Sequence, residues 1–192
     1  MLVRGNASFL KVLRVNQPSE GEIFENRMHC GFFSRLALLH REQIADLSLR
    51  GSGGQGNLMV AIDPKGHGDV SQTEIRYKRT KLLPYVPTPL AYQNYVFLWC
   101  DRGTVCCIDP TTGKDVWVKR IGGDFSGSPI GAGGMLFNMD EHGEVVVLAA
   151  GPEFKLLGKI PLGEPSHSTP AVADGRLYLR TFHHLTCVAA RP

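Results

Sequence analysis

Short runs of apolar, β-branched and aromatic residues recur through the second half of the chain, and Gly, Asn or Asp bounds each run. Tyr95, Phe97 and Trp99 alternate with Val96 and Leu98, a two-residue period that is typical of strands apolar on both faces. Hairpin turns are predicted at residues 133–134 and 174–175, which read Gly-Gly and Asp-Gly. The pattern predicts strands at residues 94–100, 104–109, 115–120, 135–139, 144–149, 155–160 and 176–181.

A repeat of about 40 residues organises these strands. Thr88-Pro89 recurs as Ser128-Pro129 and Thr169-Pro170, and the segments that follow each pair align. A unit of about 40 residues that holds four short strands is typical of a β-propeller blade. A degenerate earlier copy covers residues 58–79. We therefore predict an all-β fold, an incomplete β-propeller of about two and a half to three four-stranded antiparallel blades, over residues 58–192.

Residues 1–57 lack this pattern and are predicted to be a separate, irregular leader. A helical spacing of larger side chains predicts one helix between residues 33 and 49, with a Gly-rich flexible connector at residues 50–56. The helical positions are Phe33, Leu36, His40, Ile44 and Leu47.

Composition narrows the function classes. The chain of 192 residues has 21 basic and 18 acidic side chains and a charged fraction of 20%, a balance that argues against a dedicated nucleic-acid binder or a disordered chain. With 22 Gly and 12 Pro, many turns are expected, as in an all-β fold. Five Cys cannot all pair within one chain. The apolar runs are too short for a membrane-spanning helix. Charged residues interrupt every apolar stretch near the start that could serve as an export signal, so we expect a chain that is not exported.

The most specific string in the chain lies between two predicted strands. Asp109, Thr112, Gly113, Lys114 and Trp117 stand at fixed spacing, and this set resembles the tryptophan-docking motif of the quinoprotein (pyrroloquinoline-quinone-like) β-propeller repeats. In that family an Ala stands where this chain has a Cys, at position 107. The resemblance covers residues 58–190 and implies a role in blade packing.

The motif also has a direct physical interpretation. The Asp109 carboxylate can accept backbone N–H groups in the turn that follows it, and Gly113 can adopt a positive φ. Trp117, on the next strand, can pack against the neighbouring blade and bury about 200 Å². We expect a packing role for Trp117 rather than ligand contact.

Three other features could indicate a reactive or metal-binding site, but each has a simpler structural explanation. Cys106 and Cys107 are adjacent, but successive side chains of a strand point to opposite faces, so two small buried residues are expected rather than a disulfide. His183 and His184 also face apart on a strand, so a turn or edge role is expected rather than a metal site. No Ser-His-Asp or paired-carboxylate arrangement follows from the spacing, so no catalytic, cofactor-binding or metal-binding residue is predicted.

The resemblance implies two functions from different classes. Members of the family include propellers that bind protein partners, and by that likeness we expect a non-catalytic segment that binds or scaffolds proteins, without a cofactor. The alternative is a fragment of a quinone-dependent alcohol or sugar dehydrogenase, which would use pyrroloquinoline quinone and calcium. A few blades leave a blade face uncovered, so a protein partner, further blades or self-association are expected. Family members are often exported, whereas no export signal is visible in this chain, so no compartment is predicted.

Overall fold

The computed structural model describes residues 32–39, 42–49, 58–63 and 73–189, the first two ranges by their backbone alone. These residues form four antiparallel sheets, each a meander of strands in chain order. Sheet 1 contains β1 (Phe32–Leu39), β2 (Glu42–Leu49), β3 (Leu58–Ile62) and β4 (Ile75–Arg79). Sheet 2 contains β5 (Leu90–Tyr92), β6 (Tyr95–Trp99), β7 (Thr104–Ile108) and β8 (Asp115–Arg120). Sheet 3 contains β9 (Ile130–Ala132), β10 (Met135–Met139), β11 (Glu144–Ala149) and β12 (Leu156–Pro161). Sheet 4 contains β13 (Ala171–Ala173), β14 (Arg176–Arg180) and β15 (Leu185–Ala189).

The predicted incomplete propeller of antiparallel blades is confirmed, and each of the seven predicted strands lies within one residue of an observed strand at both ends. The sequence did not predict the first strands of sheets 2 to 4, which are three residues long. Three residues are too few to display an alternation, so only pairing with the neighbouring strand identifies these elements.

The predicted helix between residues 33 and 49 is wrong. Two strands occupy this region, and β2 pairs with both β1 and β3. The spacing of the apolar residues there fits a strand as well as a helix. A strand at residues 42–49 also pairs with the backbone N–H and C=O groups at the edge of β3, which a helix would leave without partners. Sheet 1 thus has four strands, and the pairing of β2 with β3 crosses the predicted division between residues 57 and 58. The predicted connector at residues 50–56 lies outside the described residues.

Apolar side chains fill the spaces between successive sheets. On β6, Val96 and Leu98 belong to a buried cluster with Met59 of sheet 1. Phe97, one residue along the same strand, belongs to a second cluster with Leu136 of sheet 3. Because β6 is buried on both faces, it carries no charged side chain. A third cluster joins sheets 3 and 4 through Met139, Val145, Val147 and Leu179.

The residues that mark the repeat also link one sheet to the next. The backbone N–H of Thr88 donates to Oγ of Ser128 at 2.9 Å, and the N–H of Ser128 donates to Oγ1 of Thr169 at 2.9 Å. A hydroxyl residue at this point of each copy therefore satisfies a backbone donor of the preceding copy. No helix in the described part of the chain could span a membrane.

Candidate interaction site

The turn between β7 and β8 is built by four of the five motif residues. Oδ1 of Asp109 accepts the backbone N–H of Thr111 at 2.8 Å and that of Thr112 at 3.0 Å. The N–H of Gly113 donates to the carbonyl of Asp109 at 2.8 Å, and Asp109 donates in turn to the carbonyl of Lys114 at 3.0 Å. Every one of these bonds is local, so the sequence pattern alone could predict this turn.

Gly113 connects this turn to sheet 1. Its φ is +69°, and a Cβ added there would lie 2.4 Å from a ring carbon of Tyr77 on β4. No side chain fits in that space without a shift of the backbone or of the ring, so glycine is required both by its conformation and by the close approach. The motif turn of sheet 2 therefore packs on the aromatic ring of the last strand of sheet 1.

Trp117 makes the corresponding contact with sheet 3. Its side chain is buried, with 9% of the residue surface exposed, and its Nε1 donates to the carbonyl of Gly151 at 3.0 Å. The ring packs edge-on against Phe154 at 5.3 Å and lies 6.1 Å from Phe97. Both Gly151 and Phe154 lie in the connection between β11 and β12. The sequence pattern did not identify these two partners, because that connection lacks the motif; the docking role of Trp117 stays a prediction.

The fourth strands of the first three sheets differ in how well one register position is covered. Tyr77 on β4 is covered by the turn of sheet 2, and Trp117 on β8 by the turn of sheet 3. On β12 the same register position holds Gly158, and a Cβ added there would meet no atom within 4 Å.

The adjacent cysteines lie on opposite faces of β7, as predicted. Cys106 belongs to the cluster between sheets 1 and 2, and Cys107 to the cluster between sheets 2 and 3. Both thiols are free, and burial raises the pKa of Cys107 to about 12. A hydrogen bond between the thiols of Cys100 and Cys106 raises the pKa of Cys100 and lowers that of Cys106.

A polar cavity of about 410 Å³ lies at one end of the strands, beside the turns that join the second and third strands of sheets 2 and 3. Its carboxylates hold the loops together: Asp101 accepts the backbone N–H groups of Tyr85 at 2.6 Å and Val86 at 2.7 Å. Carboxylates with such partners have a structural role in this cavity. The lining residues are Val86, Asp101, Arg102, Asp124, Phe125, Ser126 and Glu141.

Ser126, Glu141 and His167 meet beside this cavity in an arrangement that differs from a hydrolytic triad. The Ser126 hydroxyl donates to the Glu141 carboxylate, and Nδ1 of His167 lies 3.2 Å from that hydroxyl and 3.6 Å from the carboxylate. In a Ser-His-acid relay the two ring nitrogens of the histidine separate the hydroxyl from the acid. Here one nitrogen faces both groups, and the imidazole stacks on Phe182 with 5.4 Å between ring centres.

His183 and His184 lie in the connection between β14 and β15 and not on a strand. Nδ1 of His184 lies 2.6 Å from the Glu164 carboxylate, which also accepts the hydroxyl of Thr181 at 2.6 Å and the backbone N–H of His183 at 3.3 Å. The Thr181 hydrogen bond is the main cause that lowers the pKa of Glu164, and the His184 contact adds to it. In the described ranges, no three His, Cys, Asp or Glu residues are placed to hold a metal ion, so no calcium ligand is assigned.

Sheet 4 presents large apolar side chains to solvent. Leu185 on β15 is 66% exposed, and about half of the surface of Val172, Val188 and Phe182 is also exposed. The matching strand of sheet 2 is buried from Val105 to Ile108. Val172 and Val188 share one face of sheet 4 through Leu177, and Leu185 lies on the other face. Exposed apolar side chains on both faces of a sheet are typical of a surface that packs against another element.

Comparisons with known proteins agree with this architecture. Residues 55–151, about half of the chain, match the profile of the family described as outer membrane protein assembly factor BamB. No curated protein matches the chain. BamB from Moraxella catarrhalis superposes with a TM-score of 0.60 and 17% identity, over 80% of this chain and 45% of that chain. A quinohemoprotein alcohol dehydrogenase from Pseudomonas putida HK5 superposes with a TM-score of 0.52 and 14% identity, over 78% of this chain and 30% of that chain.

A third structure has a comparable length. The computationally designed Ika4 protein superposes with a TM-score of 0.56 and 11% identity, and the match covers 84% of this chain and 93% of that chain. Identities this low support a shared fold and no more. The chain spans less than half the length of the Moraxella BamB structure and less than a third of the dehydrogenase structure.

Proposed function

The chain belongs to the quinoprotein-like β-propeller family described as outer membrane protein assembly factor BamB, and from this premise we propose that it is a non-catalytic propeller segment that binds or scaffolds other proteins. The observation that carries the proposal is the exposure of large apolar side chains on sheet 4, with Leu185 the most exposed of them. Leaving this area in water is unfavourable, and a protein interface removes it from water.

The surface can be tested by affinity purification from the host. The tagged chain is compared with Leu185→Lys and with Val116→Lys, a matched substitution of an exposed apolar residue on sheet 2. We expect the same partner with the parent chain and with V116K, and at least a tenfold lower recovery with L185K. Equal recovery with all three chains would remove sheet 4 from the proposal.

The family also includes quinone-dependent dehydrogenases, so the two classes must be separated by experiment. Pyrroloquinoline quinone is titrated into the purified chain with and without calcium, and dye-coupled oxidation of ethanol and of glucose is then measured. The binding role predicts neither stoichiometric quinone binding nor turnover. Stoichiometric quinone binding followed by dye reduction would establish the dehydrogenase class instead.

Self-association through the terminal sheets follows from the same exposed surface. Sedimentation velocity at micromolar concentration should detect a dimer or a larger species. A single monomeric species that binds no hydrophobic dye would refute this part of the proposal.

A further inference from the structure

Two cysteine thiols meet at the end of the hairpin that β6 and β7 form. Leu98 pairs with Cys106 across the two strands, and Cys100 lies two residues beyond Leu98. The backbone N–H of Cys100 donates to the carbonyl of Thr104 at 2.8 Å, so the pairing of the two strands continues to this point. Because residues two apart along a strand point to the same face, Cys100 and Cys106 are diagonal neighbours on one face of sheet 2. Their thiols are hydrogen-bonded to each other.

We propose that Cys100 and Cys106 form a redox-sensitive site, which a small oxidant of the peroxide class converts reversibly to an intrachain disulfide. Both cysteines are free in this structure. The bond closes a short ring around the turn of residues 101–103 and ties together the two strands on either side of it. Asp101 in this turn holds the connection between sheets 1 and 2 through two backbone N–H groups, so the disulfide fixes the base of a turn that organises this connection. This inference goes beyond the proposed binding role and does not depend on it.

The surroundings of the pair favour a thiolate on Cys106. Arg79 of β4 lies beside the pair with only 11% of its side chain exposed, and its Nη1 is 2.9 Å from Oδ1 of Asp115 on β8. The hydrogen bond from the Cys100 thiol lowers the pKa of Cys106, burial opposes this shift, and the Arg79 guanidinium adds to it. The thiolate is the form of cysteine that attacks an oxidant. Cys106 is fully buried and Cys100 is half-buried, so an oxidant reaches the pair from the Cys100 side.

The reaction converts two thiols and one molecule of hydrogen peroxide to a disulfide and two molecules of water. The Cys106 thiolate attacks one peroxide oxygen, the O–O bond breaks and hydroxide leaves, which forms a sulfenic acid on Cys106. The Cys100 sulfur then attacks the Cys106 sulfur, so the S–S bond forms and the S–O bond breaks. The hydroxyl group leaves with the Cys100 proton as water. The two sulfurs together lose two electrons to the peroxide, and a thiol reductant restores both thiols by exchange.

Peptide mapping of the oxidised chain tests the site directly. The full chain is reduced, freed of reductant and treated in its folded state with hydrogen peroxide; remaining thiols are then alkylated and the chain is digested with trypsin. Trypsin cleaves after Arg102, between the two cysteines, so their disulfide joins the peptide of residues 82–102 to that of residues 103–114. We expect this joined pair to be the main disulfide product and to separate on reduction. Absence of the joined pair would overturn the proposal.

Matched variants identify the cysteine of β7 that reacts, because the peptide of residues 103–114 contains both Cys106 and Cys107. Cys107→Ala is the control for Cys106→Ala, since the two positions are adjacent, buried and on opposite faces of the strand. We expect the joined pair to persist in C107A and to fall at least about tenfold in C106A. A joined pair that persists in C106A, or that is lost in C107A, would assign the bond to Cys107 and overturn the proposal.

Cys100→Ser provides a test that does not alter the buried face. Cys100 is half-buried at the end of β6, so this variant should keep the circular dichroism spectrum of the parent. After peroxide treatment, the peptide of residues 103–114 should remain unjoined in C100S. A disulfide from this peptide to another cysteine, at the yield of the parent's joined pair, would show that the contact with Cys100 does not direct the reaction and would also overturn the proposal.

Discussion

Trp117→Ala is the substitution that best tests whether Trp117 stabilises the fold by docking on the neighbouring sheet. Trp117 buries about 200 Å², which at about 25 cal/mol/Å² corresponds to about 5 kcal/mol as an upper limit. A compact unfolded state lowers this figure, while the lost hydrogen bond to Gly151 and the cavity between Phe97 and Phe154 raise it. We expect the free energy of unfolding to fall by about 3–5 kcal/mol.

Urea denaturation measures this loss, with circular dichroism as the signal. At an m-value of about 2 kcal/mol/M, the midpoint should move by about 2 M. Trp99 supplies a second, fluorescent signal in the variant, and coincidence of the two transitions would establish that unfolding is two-state.

Two matched variants complete the experiment. Trp117→Phe keeps an aromatic ring and removes the donor to the Gly151 carbonyl, so it should cost about 1–2 kcal/mol. Val116→Ala, at the half-exposed neighbouring position on the same strand, should cost less than about 1 kcal/mol. If Trp117→Ala costs no more than Val116→Ala, the docking role is refuted.

Three further predictions test other parts of the structure. In the folded chain at about pH 8, maleimide should label the exposed Cys187 within minutes and should leave Cys107 unlabelled until urea unfolds the chain. Cys107 is buried and its pKa of about 12 keeps it almost wholly as the unreactive thiol. Equal labelling rates of the two cysteines, measured by mass spectrometry, would contradict this. Gly113→Ala should lower the free energy of unfolding by about 2 kcal/mol or more, because a positive φ and the Tyr77 ring both oppose a Cβ, and an unchanged melting temperature would disprove that contact. The pKa of Glu164 is lowered in the folded chain, so its contribution to stability is present above the unfolded pKa of about 4.3 and is lost as the pH falls through the folded value. Glu164→Gln should therefore flatten the pH dependence of the free energy of unfolding below about pH 5. Parallel stability curves for the two chains would exclude this role.

The chain alone determined the features that depend on neighbouring residues. The two-residue alternation of Tyr95–Trp99 and the turn residues between such runs place the strands, because both signals act within a few positions. The 40-residue period then indicates blades, and the spacing of Asp109 and Gly113 predicts a turn whose hydrogen bonds all close within five residues.

The tertiary structure decided the features that depend on distant residues. Residues 42–49 form a strand because Ile44 and its neighbours pair with β3, a contact that outweighs the local helical spacing. Trp117 meets Gly151, 34 residues away, in a connection whose own sequence carries no sign of a docking partner. Cys107 is buried and Cys187 is exposed at matching positions of sheets 2 and 4, because the burial of a side chain depends on what packs against its strand and not on the strand's own residues.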